Sequence, residues 1–181
     1  MEKDRQSEWM NSSFAFMGIE MLLLGEVQAL GELDIELIEE LPKIKTNSKL
    51  EEDLKIKRRY LLLSKLWILG AYELIRFLND YNKQRNLLNE KIKQKLKEVL
   101  EKFTRIRIPL AKFQKIGNDK RLYESVADSF IDLNKGAGWK VYTLGKNKLK
   151  EEVFCRNDLG DLLLDLLKEM KKDIEKSAQN K

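Results

Sequence analysis

The stretch KLWILGAYELIRFL, Lys65–Leu78, decides how this chain folds, because a nearly continuous apolar run carries Glu73 and Arg76. At about 100° per residue, Arg58, Lys65, Glu73, Arg76 and Asp80 share a sector of roughly 80°. Leu61, Leu62, Leu66, Trp67, Leu69 and Leu74 are expected to take much of the remaining circumference. The segment therefore reads as a central helix with a narrow polar stripe. SKLE, Ser48–Glu51, is a capping-box pattern that starts it, and it is expected to run to about Asn79. Glu73 and Arg76 stand three residues apart, close enough to pair along one edge.

Working toward the N-terminus, Leu30, Leu33, Leu37, Ile38 and Leu41 predict a helix from Phe14 to Leu41, closed by Pro42. ELDIEL, Glu32–Leu37, also alternates with period two, but its poverty in β-branched residues favours helix. Gly18, Gly25 and Gly31 weaken or bend this helix, or admit a close neighbour.

Working toward the C-terminus, Leu88, Ile92, Leu96, Val99 and Phe103 predict a third helix over 83–103, with Lys91, Lys93, Lys95 and Lys97 off its apolar stripe. Pro109 then pushes Ile108 toward extended backbone, so Arg105 and Arg107 are expected on one side of a short extended piece. Leu122, Tyr123, Val126, Ala127, Phe130 and Leu133 suggest a fourth helix closed near Gly136. After it the period changes. GWKVYTLG and EEVFC, joined across a polar turn, read as a β-hairpin at about 138–156, which must press Trp139, Val141, Val153 or Cys155 against helices. Asp158 caps a last helix carrying Leu159, Leu162, Leu163, Leu166, Leu167, Met170 and Ile174. The expected fold is mainly α: a single-domain bundle of about five helices over residues 1–176, a small β-hairpin before the C-terminal helix, and a frayed tail at 177–181.

The chemistry this chain lacks is informative. With no histidine among 181 residues, imidazole acid–base catalysis and histidine metal sites are excluded within it. The helix count resembles four-helix folds of the HEPN type used by many RNA-cleaving toxins, but their R-x4-6-H motif has no counterpart here. One cysteine, Cys155, allows no intramolecular disulfide and favours a reducing compartment; it reads as a small hydrophobe on a strand. GxxxxGK[ST], GxGxxG, CxxC and GxSxG are all missing. NKGAGWK, Asn134–Lys140, precedes a strand rather than opening a helix and reads as a turn. Asp161 and Asp165 solvate a helix face. No catalytic residue, cofactor or metal is assigned. FAFMGIEMLLLG, Phe14–Gly25, is too short to span a bilayer and holds Glu20, and the acidic leader has the wrong sign for a secretory signal. A cytoplasmic location is expected.

The net charge of +5 conceals an asymmetry: residues 1–41 carry −8, residues 42–121 carry +13 and the remainder is neutral. Two binding candidates follow. A pocket built from Glu73, Arg76, Arg105, Arg107 and Lys112 places arginine forks beside apolar surface. A patch of Lys91, Lys93, Lys95 and Lys97 would attract phosphate backbones. The leading expectation is a non-catalytic helical module that binds a protein partner or assembles with itself, of bacterial or phage origin given 26 lysines to nine arginines. The alternative is an RNA- or DNA-binding protein using the basic helix and the 105–115 segment. A third is an enzyme with a pocket centred on Glu73, which requires that carboxylate to be enclosed.

Overall fold

The computed structural model describes residues 2–17, 20–46, 50–112, 123–144 and 149–179. Over these residues it is mainly helical, with five α-helices and a small antiparallel sheet before the last of them. Helix α1 spans Glu2–Ser13 and, after a 3-10 turn at Phe14–Phe16, α2 spans Met21–Thr46. The long α3 covers Leu50–Arg85, α4 covers Glu90–Lys112 and α5 covers Arg156–Gln179. Strands β1 (Tyr123–Asp132), β2 (Gly136–Leu144) and β3 (Leu149–Cys155) form a sheet in the order β1-β2-β3.

Helix α3 is the spine. Trp67, Ile68, Ala71, Leu74, Ile75 and Leu78 are buried along it, and the Trp67 ring lies 6.2 Å from that of Phe103 on α4. The Trp67 indole also donates to the Leu30 carbonyl of α2 at 3.0 Å, which ties the two helices by a polar contact inside the core. Helix α3 ends where Asn86 turns left-handed, φ 52°, a conformation asparagine tolerates. Asn89 caps α4 by accepting from the Ile92 backbone N–H at 3.0 Å, a bond typical of an N-cap side chain.

Several local expectations are corrected. Pro42 does not stop α2, which continues to Thr46. Helix α3 runs on to Arg85, and α4 starts at Glu90 rather than 83. Helix α4 also passes through Pro109 to Lys112, so 105–112 is helical and not extended. Its buried residues Leu96, Val99, Phe103, Ile106 and Leu110 step by three and four without a break, and this apolar stripe outweighs the local preference of a residue before proline. The 122–133 helix is in fact β1. Its pairing with β2 slips between Val126 and Asp128, and this bulge breaks the two-residue alternation that would have announced a strand. Residue 122, the SKLE serine and the turn between β2 and β3 lie outside the described residues.

The sheet seals the bundle with Ala137, Trp139 and Val141 of β2 and Phe154 of β3, which stands opposite Trp139; Cys155 is buried but stands opposite Gly138 on the other face, and Val153 is exposed. Gly136 has φ 81° in the turn from β1 to β2, where Asn134 and Lys135 donate backbone N–H groups to the Asp132 carboxylate at 2.8 and 3.0 Å. This Asx turn is the role NKGAGWK plays. Phe130 of β1 lies across Gly138, where a Cβ would sit 2.4 Å from the ring. Helix α5 opens at Arg156, two residues before Asp158, and its helical geometry continues through Gln179, beyond the expected start of the tail.

Candidate functional site

Glu73 sits on the outer face of α3 with its side chain 46% exposed. Arg76, one turn on, pairs with it at 2.6 Å, and Arg107 of α4 reaches it at 3.3 Å while lying 4.8 Å over the Tyr72 ring. Glu73 thus joins two of the four basic residues grouped with it on sequence grounds. Arg105 goes elsewhere: in a helix it stands about 200° round from Arg107. It pairs with Glu152 of β3 at 2.7 Å and lies 5.3 Å over Phe154. Lys112 ends α4 and its side chain is outside the described residues. An open carboxylate held by two arginines lacks the enclosed, desolvated setting that a working general acid requires.

The lysines of α4 divide. Lys93 pairs with Glu90 at 2.5 Å and donates to Asn86, and Lys95 pairs with Glu169 of α5 at 2.7 Å. Lys91 and Lys97 are exposed, but Glu98 and Glu101 are exposed on the same helix. The patch is interleaved with acids rather than continuous. Part of the basic middle of the chain faces its acidic start, since Arg59 of α3 pairs with Glu36 of α2 at 3.0 Å.

Beside Glu73 lies a feature that sequence patterning did not single out. The first two turns of α2 and the stretch Gly70–Phe77 of α3 enclose an open groove of about 550 Å³. Leu23 and Leu74 form its floor, Leu22 and Phe77 its apolar walls, and Glu20, Glu26 and Glu73 its rim. Leu22 is 77% exposed, Met21 66%, Met17 59% and Phe77 41%. Leu62 and Leu66, expected outside the polar stripe of α3, are also exposed: each stands about 20° from Glu73 round the helix, and with Gly70 and Phe77 the set falls within about 80°. This is an exposed apolar face, not scattered single residues.

A second unforeseen constellation is structural. Asp34 of α2 and Arg156 at the start of α5 are both fully buried and paired. Arg5 donates from Nε to Asp34 Oδ2 at 2.6 Å, and the Trp9 indole donates to the same oxygen at 2.8 Å. Arg5 also reaches Asp161 at 2.6 Å. Arg156 further donates to Asn157 and stands 5.7 Å over Trp67. Burial holds Arg156 below the usual guanidinium range against the pull of Asp34. For Arg5, burial acts in the same direction but its bonds to Asp34 and Asp161 outweigh it and raise the value. The clue lay in the α2 stripe, where Asp34 falls four residues after Leu30 and three before Leu37, a core position occupied by an acid.

Nearby, the buried Tyr60 hydroxyl has Ser64, the Ala137 backbone and Arg156 as polar neighbours but no hydrogen-bond partner among the described residues. Burial pushes its ionisation upward, against Arg156. Burial, and then Asp158 and Asp132, likewise push the Cys155 thiol up. Among the described residues no group of three or more Cys, Asp or Glu is placed to hold a metal ion, and no helix is long and apolar enough to cross a membrane. No protein-family model matches the sequence, and neither the curated proteins nor the solved structures include a significant match to it.

Proposed function

We propose that this chain is a non-catalytic helical module of the cytoplasm whose α2–α3 groove is the docking face for a protein partner. The observation that supports this most is the exposure of Leu22 and Phe77 around a groove floored by Leu23 and Leu74. Burying a leucine side chain is worth about 1.5–3 kcal/mol, so leaving several in water on one face sets aside stabilisation that a partner can recover. The open, paired state of Glu73 favours binding over catalysis, and the interleaved acids on α4 make nucleic acid the weaker alternative.

A photo-crosslinking amino acid at Leu22, compared with one at the exposed Lys102 of α4, tests the reading in the source organism. The expected result is a discrete protein adduct from position 22 and none from 102. Equal adducts from both positions, or none from 22, overturn it.

A further inference from the structure

Resting on the docking reading above, we infer that the occupant of the groove is an amphipathic helix of a partner protein, with lysine or arginine flanking its apolar stripe on the side that meets α2. Its chemistry follows from the two rims, which differ in charge. On the α3 side Glu73 is already compensated by Arg76 and Arg107. On the α2 side Glu20 and Glu26 are exposed and have no basic partner among the described residues. From Met21 to Pro42 the sequence contains no lysine or arginine but six acids, so nothing within α2 can neutralise that edge until Lys43. An incoming apolar stripe that desolvates Leu22 and Phe77 must pass beside these carboxylates, and basic flanks answer their charge.

The same edge disfavours the other surfaces an apolar face could meet. Anionic bilayers and nucleic-acid backbones carry the sign of Glu20 and Glu26 and are repelled by them. The shape points to a helix. Exposed apolar positions on α3 run from Leu62 to Phe77 along one face, a span of about 22 Å, or four helical turns of an occupant lying alongside.

The test uses the full chain and three synthetic helical peptides of about 16 residues, long enough for four turns. One carries a leucine–phenylalanine stripe flanked by lysines, one has every lysine replaced by glutamate, and one is the scrambled lysine sequence. Binding is read by fluorescence anisotropy at low and at physiological salt. The expected result is that the lysine peptide binds about tenfold more tightly than the glutamate peptide, with the gap narrowing as salt is raised. Leu22→Ser and Phe77→Ser should weaken the lysine peptide, and Glu26→Gln should reduce its advantage without altering the thermal melt. Equal binding of lysine and glutamate peptides overturns the basic-helix assignment while leaving the docking face itself to the crosslinking result. Failure of the lysine peptide to outbind its scrambled form also overturns it. So does a chain that is dimeric in solution and becomes monomeric on Leu22→Ser, because the occupant is then a second copy.

Discussion

Arg156 and Asp34 form an ion pair across 122 positions of sequence with neither side chain exposed to water. The pair joins the start of α5 to the middle of α2, and Arg5 and Trp9 bring α1 to the same carboxylate. Three helices are fastened at one buried group. Such a pair is costly to desolvate, so its value lies less in net stability than in what happens when half of it is removed.

Asp34→Ala should therefore destabilise the chain by about 3–5 kcal/mol, because Arg156 is left buried without its counter-charge. Urea denaturation measures this directly. The double substitution Asp34→Leu with Arg156→Met should recover most of the loss, since apolar side chains of similar size need no counter-charge. A double variant as unstable as Asp34→Ala would show that the pair does more than compensate itself.

Two glycines of α2 should respond to alanine with opposite signs. Gly31 faces Trp9, where a Cβ would lie 2.6 Å from the Trp9 Cβ and Cγ, so Gly31→Ala must push α1 away and cost about 1–3 kcal/mol. Gly25 faces open space, and Gly25→Ala should stabilise the isolated chain by about 0.5–1 kcal/mol. Thermal melts of the two variants give the comparison. A destabilised Gly25→Ala would mean that the space beside α2 is already filled.

Tyr60 makes an alkaline prediction. Burial raises its hydroxyl above the ordinary 10.0, so between that value and the folded one the native chain holds a proton that the unfolded chain has lost. The contribution to stability is complete below pH 10.0 and falls as pH rises through the folded value. Tyr60→Phe abolishes this loss and also removes an unpartnered buried hydroxyl, so its stability at neutral pH should be within about 1 kcal/mol of wild type or above it. Chemical denaturation of both chains at neutral pH and above pH 10.0 checks the slope. Parallel pH profiles would contradict the assignment.

Cys155 is buried at the end of β3 and its thiol is pushed above the ordinary 9.0. The reactive thiolate is therefore scarce, and alkylation by iodoacetamide near neutral pH should be far slower in the folded chain than in urea. Comparable rates would place the thiol in contact with solvent.

How much of this was legible beforehand depends on the range of the force involved. The α3 spine, the apolar stripes of α4 and α5 and the β2–β3 hairpin follow from periodicity, which reports the side of an element that must leave water. Pro109 misled because a residue preference of local origin was set against five buried positions that continue the same stripe. Strand β1 was hidden by its own bulge near Ala127. Glu73 with Arg76 is a neighbour relation along one helix and could be read directly. Its bond to Arg107 was foreseen as a juxtaposition, whereas Arg105 turned away once the segment proved helical. The exposure of Leu62 and Leu66 was legible but overlooked, because each stands only about 20° from Glu73 round the helix, beside the polar stripe rather than away from it. Asp34 and Arg156 required the tertiary fold to meet, although an acid in the α2 stripe was a sign that something buried had to answer it.

The docking claim is tested most directly by hydroxyl-radical footprinting of Phe77, a wall of the groove, in intact cells and in the purified chain, with the buried Phe103 as internal reference. Phe77 is 41% exposed and Phe103 0%. Phe77 should be modified rapidly in the purified chain and be protected in cells, with Phe103 slow in both. Equal modification of Phe77 in the two settings would contradict the account.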